Sequence, residues 1–345
     1  MNRAAVSYFV SGLLVGILAS TVGFALLLRG GINDHNQRKA TDQIVLKLGH
    51  SLDPTHPVHA AMVYMKGRLE ELSGGTVTMD IYASGVLGSE TEAIEQLQNG
   101  ALAMTKTSAA PMEGFIPEMA VFSLPYAFRD ADHFWQVLDS ELGKQLLKKG
   151  ESKYLRGLCY YDAGSRNFYT SDKPILSPQD LIGMKIRVMN SRTSMDMISA
   201  MGGAPTPIAW GELYTALQQG TVDGAENNLP SFYSNRHYEV CRHFAMDGHT
   251  RIPDILLIST KVWEQLPHQV QAWVQQAADE SSRFQRELWE EKTQEALEAV
   301  KLEGVEVHYP DPAPFVEQVQ EMLHAYDGTA IGNLLEEIRA TGGER

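Results

Sequence analysis

The side chains best placed to do chemistry lie between Gly164 and Asn228. Lys185-Ile186-Arg187-Val188 has the pattern of a short strand, with Ile186 and Val188 on one face and Arg187 on the other. The apolar face belongs to a core. A guanidinium on the back of a buried strand needs an anion, and its fork fits a carboxylate in two parallel hydrogen bonds. That carboxylate can be an internal aspartate or a bound solute, and spacing alone leaves both open. Downstream, Glu212 to Gln219 reads as a helix that stops at Gly220 and leads into Val222-Asp223-Gly224-Ala225-Glu226-Asn227. Asp223 and Glu226 stand three apart like an acid–base pair, although aspartate before glycine is the pattern of a turn. His56 and His59 are also three apart, beside His50. No carboxylate nearby completes a metal set, and helix-start histidines facing water are the preferred reading.

Motifs that cradle phosphate, bind a dinucleotide, activate a serine or place zinc on a helix are missing. We therefore expect no catalytic residue, no cofactor and no metal. At 345 residues the chain can bury two ordinary cores, and 43% apolar with 21% charged residues excludes general disorder. A net charge of −14 without a Lys/Arg cluster argues against nucleic acid and against docking to anionic lipid. Cys159 and Cys241 have apolar or aromatic neighbours and read as buried thiols rather than a disulfide.

The elements that must position Arg187 alternate. Ile44 to Leu48 reads as a strand, and Thr55 can cap a helix with Pro57 in its first turn and Val58, Met62, Met65 and Leu69 on one face. Val77 to Tyr82 is a second strand and Glu90 to Asn99 a second helix. The alternation restarts after 164: strand Ile186–Val188, helix Thr193–Met201, Pro205 to Ile208, then helix Glu212–Gln219. This predicts an α/β fold of two lobes, each with a largely parallel sheet covered by helices. The run Pro267 to Leu302 would be about 50 Å long as one helix, with Trp273, Phe284 and Leu288 on a buried stripe.

Several pieces together carry a family resemblance. They are Gly85-Val86-Leu87-Gly88, Leu97-Gln98-Asn99-Gly100-Ala101-Leu102, Leu124-Pro125-Tyr126 with Phe128, Arg166 with Thr170 and Lys173-Pro174-Ile175, Gly183-Met184-Lys185-Ile186-Arg187-Val188, Gly211 through Gln218, and Val222-Asp223-Gly224 with Glu226-Asn227. In this order, over about residues 43–330, they resemble the solute-binding proteins of tripartite ATP-independent periplasmic (TRAP) transporters, the DctP-like family. The resemblance implies a two-lobed periplasmic binding protein fold with segment-swapped lobes and a long spine helix. Residues 41–163 and 253–292 would form lobe I, and 164–252 and 293–345 lobe II. It implies that Arg187 forks onto a ligand carboxylate, that Arg166 also faces the ligand, and that Asn227 bonds a carboxylate oxygen or hydroxyl. Arg166 has a second possible role, bracing Arg187 or pairing with a lobe carboxylate. Ser108, at a predicted strand end, can meet a hydroxyl or be a plain loop serine, and His50 can contact a hydroxyl or be a polar residue of the core. Glu90 can cap a helix start or accept from a sugar hydroxyl. Tyr233 can form an apolar wall, and Phe232 is assigned to packing. Thr105-Lys106-Thr107-Ser108, Arg166-Asn167-Phe168-Tyr169 and Ser231-Phe232-Tyr233 resemble the sugar-acid branch more than the C4-dicarboxylate branch. Ala103 departs from the family, which often carries an acidic residue there. The implied partners are a small carboxylate solute, such as a hexuronate, and TRAP membrane subunits driven by an ion gradient.

Ala4 to Leu28 is a run of 25 positions without a charge between Arg3 and Arg29, roughly 37 Å long as a helix. Residues 1–29 are thus a signal peptide or a membrane anchor, with 30–42 as a polar tether. The poor cleavage site favours an anchor, and both readings export the globular part to the periplasm. An anchored ligand sensor and a sugar-acid hydrolase or lyase are the competing functions; the missing nucleophile motifs weigh against the second.

Overall fold

Strand-forming segments of the chain assort into two mixed sheets in the computed structural model, which describes residues 43–343. The first sheet has the order β2-β1-β3-β10-β4, from β1 (Ile44–Gly49), β2 (Val77–Tyr82), β3 (Met104–Ser108), β4 (Leu155–Tyr161) and β10 (Asp254–Ser259). The second runs β11-β9-β5-β8-β6-β7, from β5 (Arg166–Thr170), β6 (Lys185–Val188), β7 (Ala204–Pro207), β8 (Gly224–Asn227), β9 (His243–Thr250) and β11 (Glu306–His308). The chain therefore leaves the first sheet after Tyr161, returns at Asp254, and leaves again through the long helix His268–Leu302. Apart from Ile44, all of this lies within one compact unit that starts at Val45. The uncharged run Ala4–Leu28 and the tether 30–42 lie outside the described residues. Among the described residues no helix is long and apolar enough to cross a membrane.

The expectation of largely parallel sheets is corrected. β1 and β3 are parallel, but β10 is antiparallel to both β3 and β4. In the second sheet β6 is parallel to β7 and β8, while β5 is antiparallel to β8 and β9. The antiparallel strands β4, β5, β9 and β10 are those flanking the two short crossings between sheets, the third running through the long helix. A short crossing allows no right-handed helical return to the same sheet, so local alternation could not reveal their direction.

The first helix spans Pro57–Leu72 and buries Val58, Met62, Met65 and Leu69 as expected. Its cap is His56 rather than Thr55: the His56 side chain accepts from Val58 N, while Thr55 turns onto Asp53. The 35-residue helix His268–Leu302, about 52 Å long, packs on the first helix, on β4 and on the helix Leu229–Ser234, so it touches elements of both sheets. Its buried stripe is Val274, Ala277, Ala278, Ser281, Ser282, Gln285 and Trp289. Trp273, Phe284 and Leu288 are only half-buried, and Phe284 instead stacks on Tyr64 at 4.5 Å. Large apolar side chains misled the phase because close packing admits Ala and Ser where the helix backbone approaches β4. Ser282 Oγ and Gln275 Nε2 bond the β4 carbonyls of Tyr160 and Leu158. At the first crossing Gly164 has φ 58°, and an added Cβ there would lie 3.0 Å from Trp289 Nε1. Cys159 and Cys241 are free and buried, and burial pushes the Cys241 thiol up to about 12.

Candidate functional site

Short crossings between the sheets put strand ends face to face. Arg166 opens β5 just after the first crossing, and Asp254 opens β10 just after the second. β8 pairs with β5 so that Asn227 sits opposite Asn167 and Glu226 opposite Phe168. β6, parallel to β8, sets Arg187 beside Ala225. From the first sheet come Ser108 at the end of β3 and Glu90 at the start of the helix Glu90–Asn99. These ends enclose an inner chamber of about 40 Å³ lined by Ser51, Glu90, Lys106, Ser108, Asp254 and, from the other sheet, Arg166, Arg187, Met189, Trp210, Asn227 and Ser231. It shares Ser51, Glu90, Arg187, Met189 and Trp210 with an outer mouth of about 610 Å³. Another groove of about 610 Å³, lined by Lys144, Arg156 and Arg283, draws only on residues 138–160 and the long helix. It therefore cannot be completed by a second sheet.

Arg187 is 2% exposed, although strand alternation turns it away from Ile186 and Val188, because both faces of β6 are covered. Its Nε donates to Ile208 O at 2.8 Å, and its guanidinium lies 5.7 Å from the Trp210 ring centroid. Nη1 is buried and has no hydrogen-bond partner among the described residues. Burial, only partly offset by Tyr169 and Glu226, pulls its pKa below the ordinary arginine value. Of the cations lining this chamber, Arg187 is the one with no carboxylate of the described residues within 4.0 Å. The internal Arg–Asp pair left open by the spacing is therefore not formed.

Arg166 is paired. It grips both carboxylate oxygens of Glu226 through Nε and Nη2, reaches Glu226 O at 2.7 Å, and donates from Nη1 to Asn227 Oδ1 at 2.9 Å. Four of its five donors are thereby used. Of its two readings, the pairing with a lobe carboxylate is formed, while Arg166 also lines the chamber. Behind it His249 Nε2 is 3.5 Å from Glu226, and His249 Nδ1 is 2.7 Å from Asp247. Burial alone would raise the Glu226 carboxyl, but Arg166 and His249 outweigh it and hold it at about 2. Burial alone would lower His249, but Asp247 and then Glu226 outweigh it and lift it to about 9.

Asn227 lines the chamber with its oxygen already taken by Arg166 and by Asn228 N at 2.9 Å. What it offers is Nδ2, a donor. Lys106 is 2% exposed and shared between Glu90 Oε1 and Asp254 Oδ1, each at 3.1 Å. Burial lifts the Asp254 carboxyl above its ordinary range although Lys106 opposes the shift. Ser108 lines the chamber, its backbone N donating to Glu90 Oε1 at 3.2 Å. Glu90 Oε2 and Asp254 Oδ2 remain as acceptors. The Trp210 indole N–H is buried with no partner among the described residues, and Trp210 lines both chamber and mouth.

Two candidates fall outside this lining. His50 donates or accepts at Nε2 with His59 at 2.9 Å and accepts from Leu52 N at Nδ1, so both ring nitrogens are engaged. It shapes the Ser51–Leu52 turn instead of facing the chamber. Tyr233 is 40% exposed and stacks on Tyr238, because the short helix Leu229–Ser234 turns Ser231 and Phe232 inward and Tyr233 to solvent. His56, expected to face water, is buried, with Nε2 3.1 Å from Ser231 Oγ. Ala103 is outside the lining, its carbonyl accepting from Ser259 N. Lys106 and Ser231 entered the sequence reading only as parts of the sugar-acid motifs, and Asp254 and Trp210 were not singled out from sequence. Asp254 and Trp210 lie in loops or at strand starts with no local pattern; a buried lysine in the run Met104–Ser108 was the one available signal.

Two sheets joined by three crossings, with a polar chamber lined from both, are the architecture of a two-lobed solute-binding protein. The family model described as bacterial extracellular solute-binding protein, family 7, matches residues 48–329, and the chain belongs to that family. Its members bind solutes for transport. Three solved TRAP periplasmic solute-binding proteins are similar. One from a Bradyrhizobium species in complex with α/β-D-galacturonate is 37% identical, with TM-score 0.83, covering 86% of this chain and 99% of that one. One from Pseudomonas putida with bound D-glucuronate is 35% identical, with TM-score 0.84, covering 87% and 98%. One from a Polaromonas species bound to D-erythronate is 31% identical, with TM-score 0.85, covering 87% and 100%. The two-lobed fold with a long spine helix is thus that of the TRAP solute-binding proteins.

Proposed function

We propose that this protein captures a hexuronate, such as glucuronate or galacturonate, in the periplasm and delivers it to the membrane subunits of a TRAP transporter. The observation that carries the reading is the unpartnered Arg187 Nη1 in a chamber whose other cations are neutralised. With Nε committed to Ile208 O, the end-on pair Nη1/Nη2 receives one carboxylate. One free cation matches one carboxylate, so a C4-dicarboxylate would bring a second charge toward Glu90 and Asp254, whose remaining oxygens accept. Those oxygens, with Asn227 Nδ2, Trp210 Nε1, Ser108 and Ser231, suit the hydroxyls of a sugar ring. The uronate complexes of the similar proteins support the same choice.

Residues 41–163 with 253–292 act as lobe I and 164–252 with 293–345 as lobe II, in keeping with how the strands divide between sheets. Ligand contacts from both lobes exist together only when the lobes are near, so binding favours closure. The closed form would be the one presented to the transporter. Ala4–Leu28 would hold the protein at the inner membrane; N-terminal sequencing of protein from native membranes decides between anchor and cleaved signal.

A thermal-shift panel tests the ligand. D-glucuronate or D-galacturonate at 100 times its dissociation constant adds about 2.7 kcal/mol to stability, while succinate and neutral glucose leave the melting temperature unchanged. Glucose leaves the guanidinium without its anion, and succinate leaves the hydroxyl partners unpaired. If succinate gives the largest shift and neither uronate gives any, the uronate reading fails.

A further inference from the structure

At the β11 edge of the second sheet, opposite the edge that carries β6 and β7, three metal-ligating side chains converge. Parallel pairing of β11 with β9 sets Glu306 beside His243, and His308, two residues on, returns to the same face. His243 Nδ1 lies 3.4 Å from His308 Nε2 and 3.7 Å from Glu306 Oε2. His308 Nε2 lies 3.9 Å from the same oxygen. A tetrahedral ion held at about 2.0–2.1 Å needs its ligand atoms roughly 3.3–3.4 Å apart. One side of the triangle already fits, and the other two close with a small movement of Glu306. That movement is available, because the Glu306 side chain is 69% exposed while the imidazoles are held at 15% and 21%.

We propose that His243, Glu306 and His308 form a binding site for a divalent transition-metal ion, with water in the fourth position. Two imidazoles and one carboxylate suit zinc, cobalt, nickel or copper, whereas calcium and magnesium require sets of oxygen ligands. The ion ties β11, a strand of three residues that follows the spine helix directly, onto β9. None of the three residues lines the Arg187 chamber, so the site is independent of the solute reading. The sequence reading, which considered only His56 and His59, expected no metal; here the ligands are 65 residues apart and meet only through strand pairing.

The test is calorimetric titration of the tag-free, EDTA-treated full-length protein with Zn²⁺, alongside Co²⁺ absorption. The expected result is one saturable equivalent, a visible d–d band of tetrahedral cobalt, and a melting temperature raised by a few degrees. His243→Ala and His308→Ala each weaken zinc by more than about tenfold, since loss of even an outer-shell partner costs about 10–100-fold. Uronate affinity stays unchanged in both. Glu306→Gln, at an exposed side chain, keeps the fold intact in case a histidine variant does not, and it too must weaken zinc. Absence of saturable binding overturns the proposal. So does stoichiometric binding that survives the folded variants, because the ion then sits elsewhere.

Discussion

Replacing Arg187 with methionine separates a ligand-binding guanidinium from a structural one. Among the described residues Arg187 is a buried cation whose one hydrogen bond runs from Nε to Ile208 O, with Nη1 unpartnered. An unsatisfied buried polar group costs about 1–3 kcal/mol, so its removal stabilises. Loss of the Ile208 bond costs about 0.5–1.5 kcal/mol, and loss of the Trp210 contact about 0.5–1 kcal/mol. The terms nearly cancel, so Arg187→Met should melt close to wild type, within about 1 kcal/mol. Ligand affinity should fall steeply, since each charge-assisted hydrogen bond to the carboxylate contributes about 1.5–3 kcal/mol, roughly 10- to 150-fold per bond. Arg187→Lys should lose nearly as much, because an ammonium cannot place two parallel bonds while keeping the Ile208 tether. The assay is titration calorimetry with D-glucuronate and D-galacturonate, paired with melting curves without ligand. A folded Arg187→Met protein that binds the preferred uronate as wild type does, or one that is destabilised by several kcal/mol with affinity intact, refutes the reasoning and makes Arg187 a structural residue.

Arg166→Met should behave in the opposite way. It strands Glu226 in the interior, so the unliganded protein loses about 3–5 kcal/mol, read as a fall in melting temperature; an unchanged melt would sink the idea that Arg166 is a brace. Glu113 accepts from Ser191 Oγ at 2.6 Å and from Thr193 Oγ1 at 3.1 Å, reaching from the β3 side to the start of the helix Arg192–Ala200. Glu113→Gln should weaken ligand binding several-fold through loss of about 0.5–2 kcal/mol of closure-dependent capping and helix-dipole interaction, and small-angle scattering without ligand should show a more open particle; identical affinity and scattering would mean that the contact is idle. Stability should peak near pH 6.5. Burial, aided by Lys106 for His50 and by Arg187 for His237, holds each at about 3 in the fold, so the unfolded chain takes up more protons and stability falls from pH 6.5 downward. His249, lifted to about 9, contributes stability that is complete below about pH 6.5 and lost as pH rises through 9, on the order of 3 kcal/mol. A melting temperature that keeps rising from pH 6.5 to 9, or a high-pH limb unchanged in His249→Gln, would contradict this assignment.

Sequence by itself determined the class of protein and singled out Arg187 as the candidate ligand clamp. Arg187 was legible because a cation inside a strand motif breaks the local apolar pattern, and the helices Pro57–Leu72 and Glu90–Asn99 because their periodicity and caps are local. Family likeness added what periodicity cannot supply, the two lobes and the spine helix. Only the tertiary structure decided the pairing. Arg166 and Arg187 look alike as residues, yet Glu226 lies on the strand next to Arg166, so one guanidinium is neutralised and the other is free. His50 and Tyr233 lie outside the chamber lining, because orientation at a strand end or on a six-residue helix follows from what packs around it. Lys106, Asp254 and Trp210 reach one chamber from distant stretches of chain, and the His243–Glu306–His308 triangle exists only in the register of β11 on β9. Local pattern records which face a side chain takes, whereas charge balance depends on neighbours that strand pairing brings in from far along the chain.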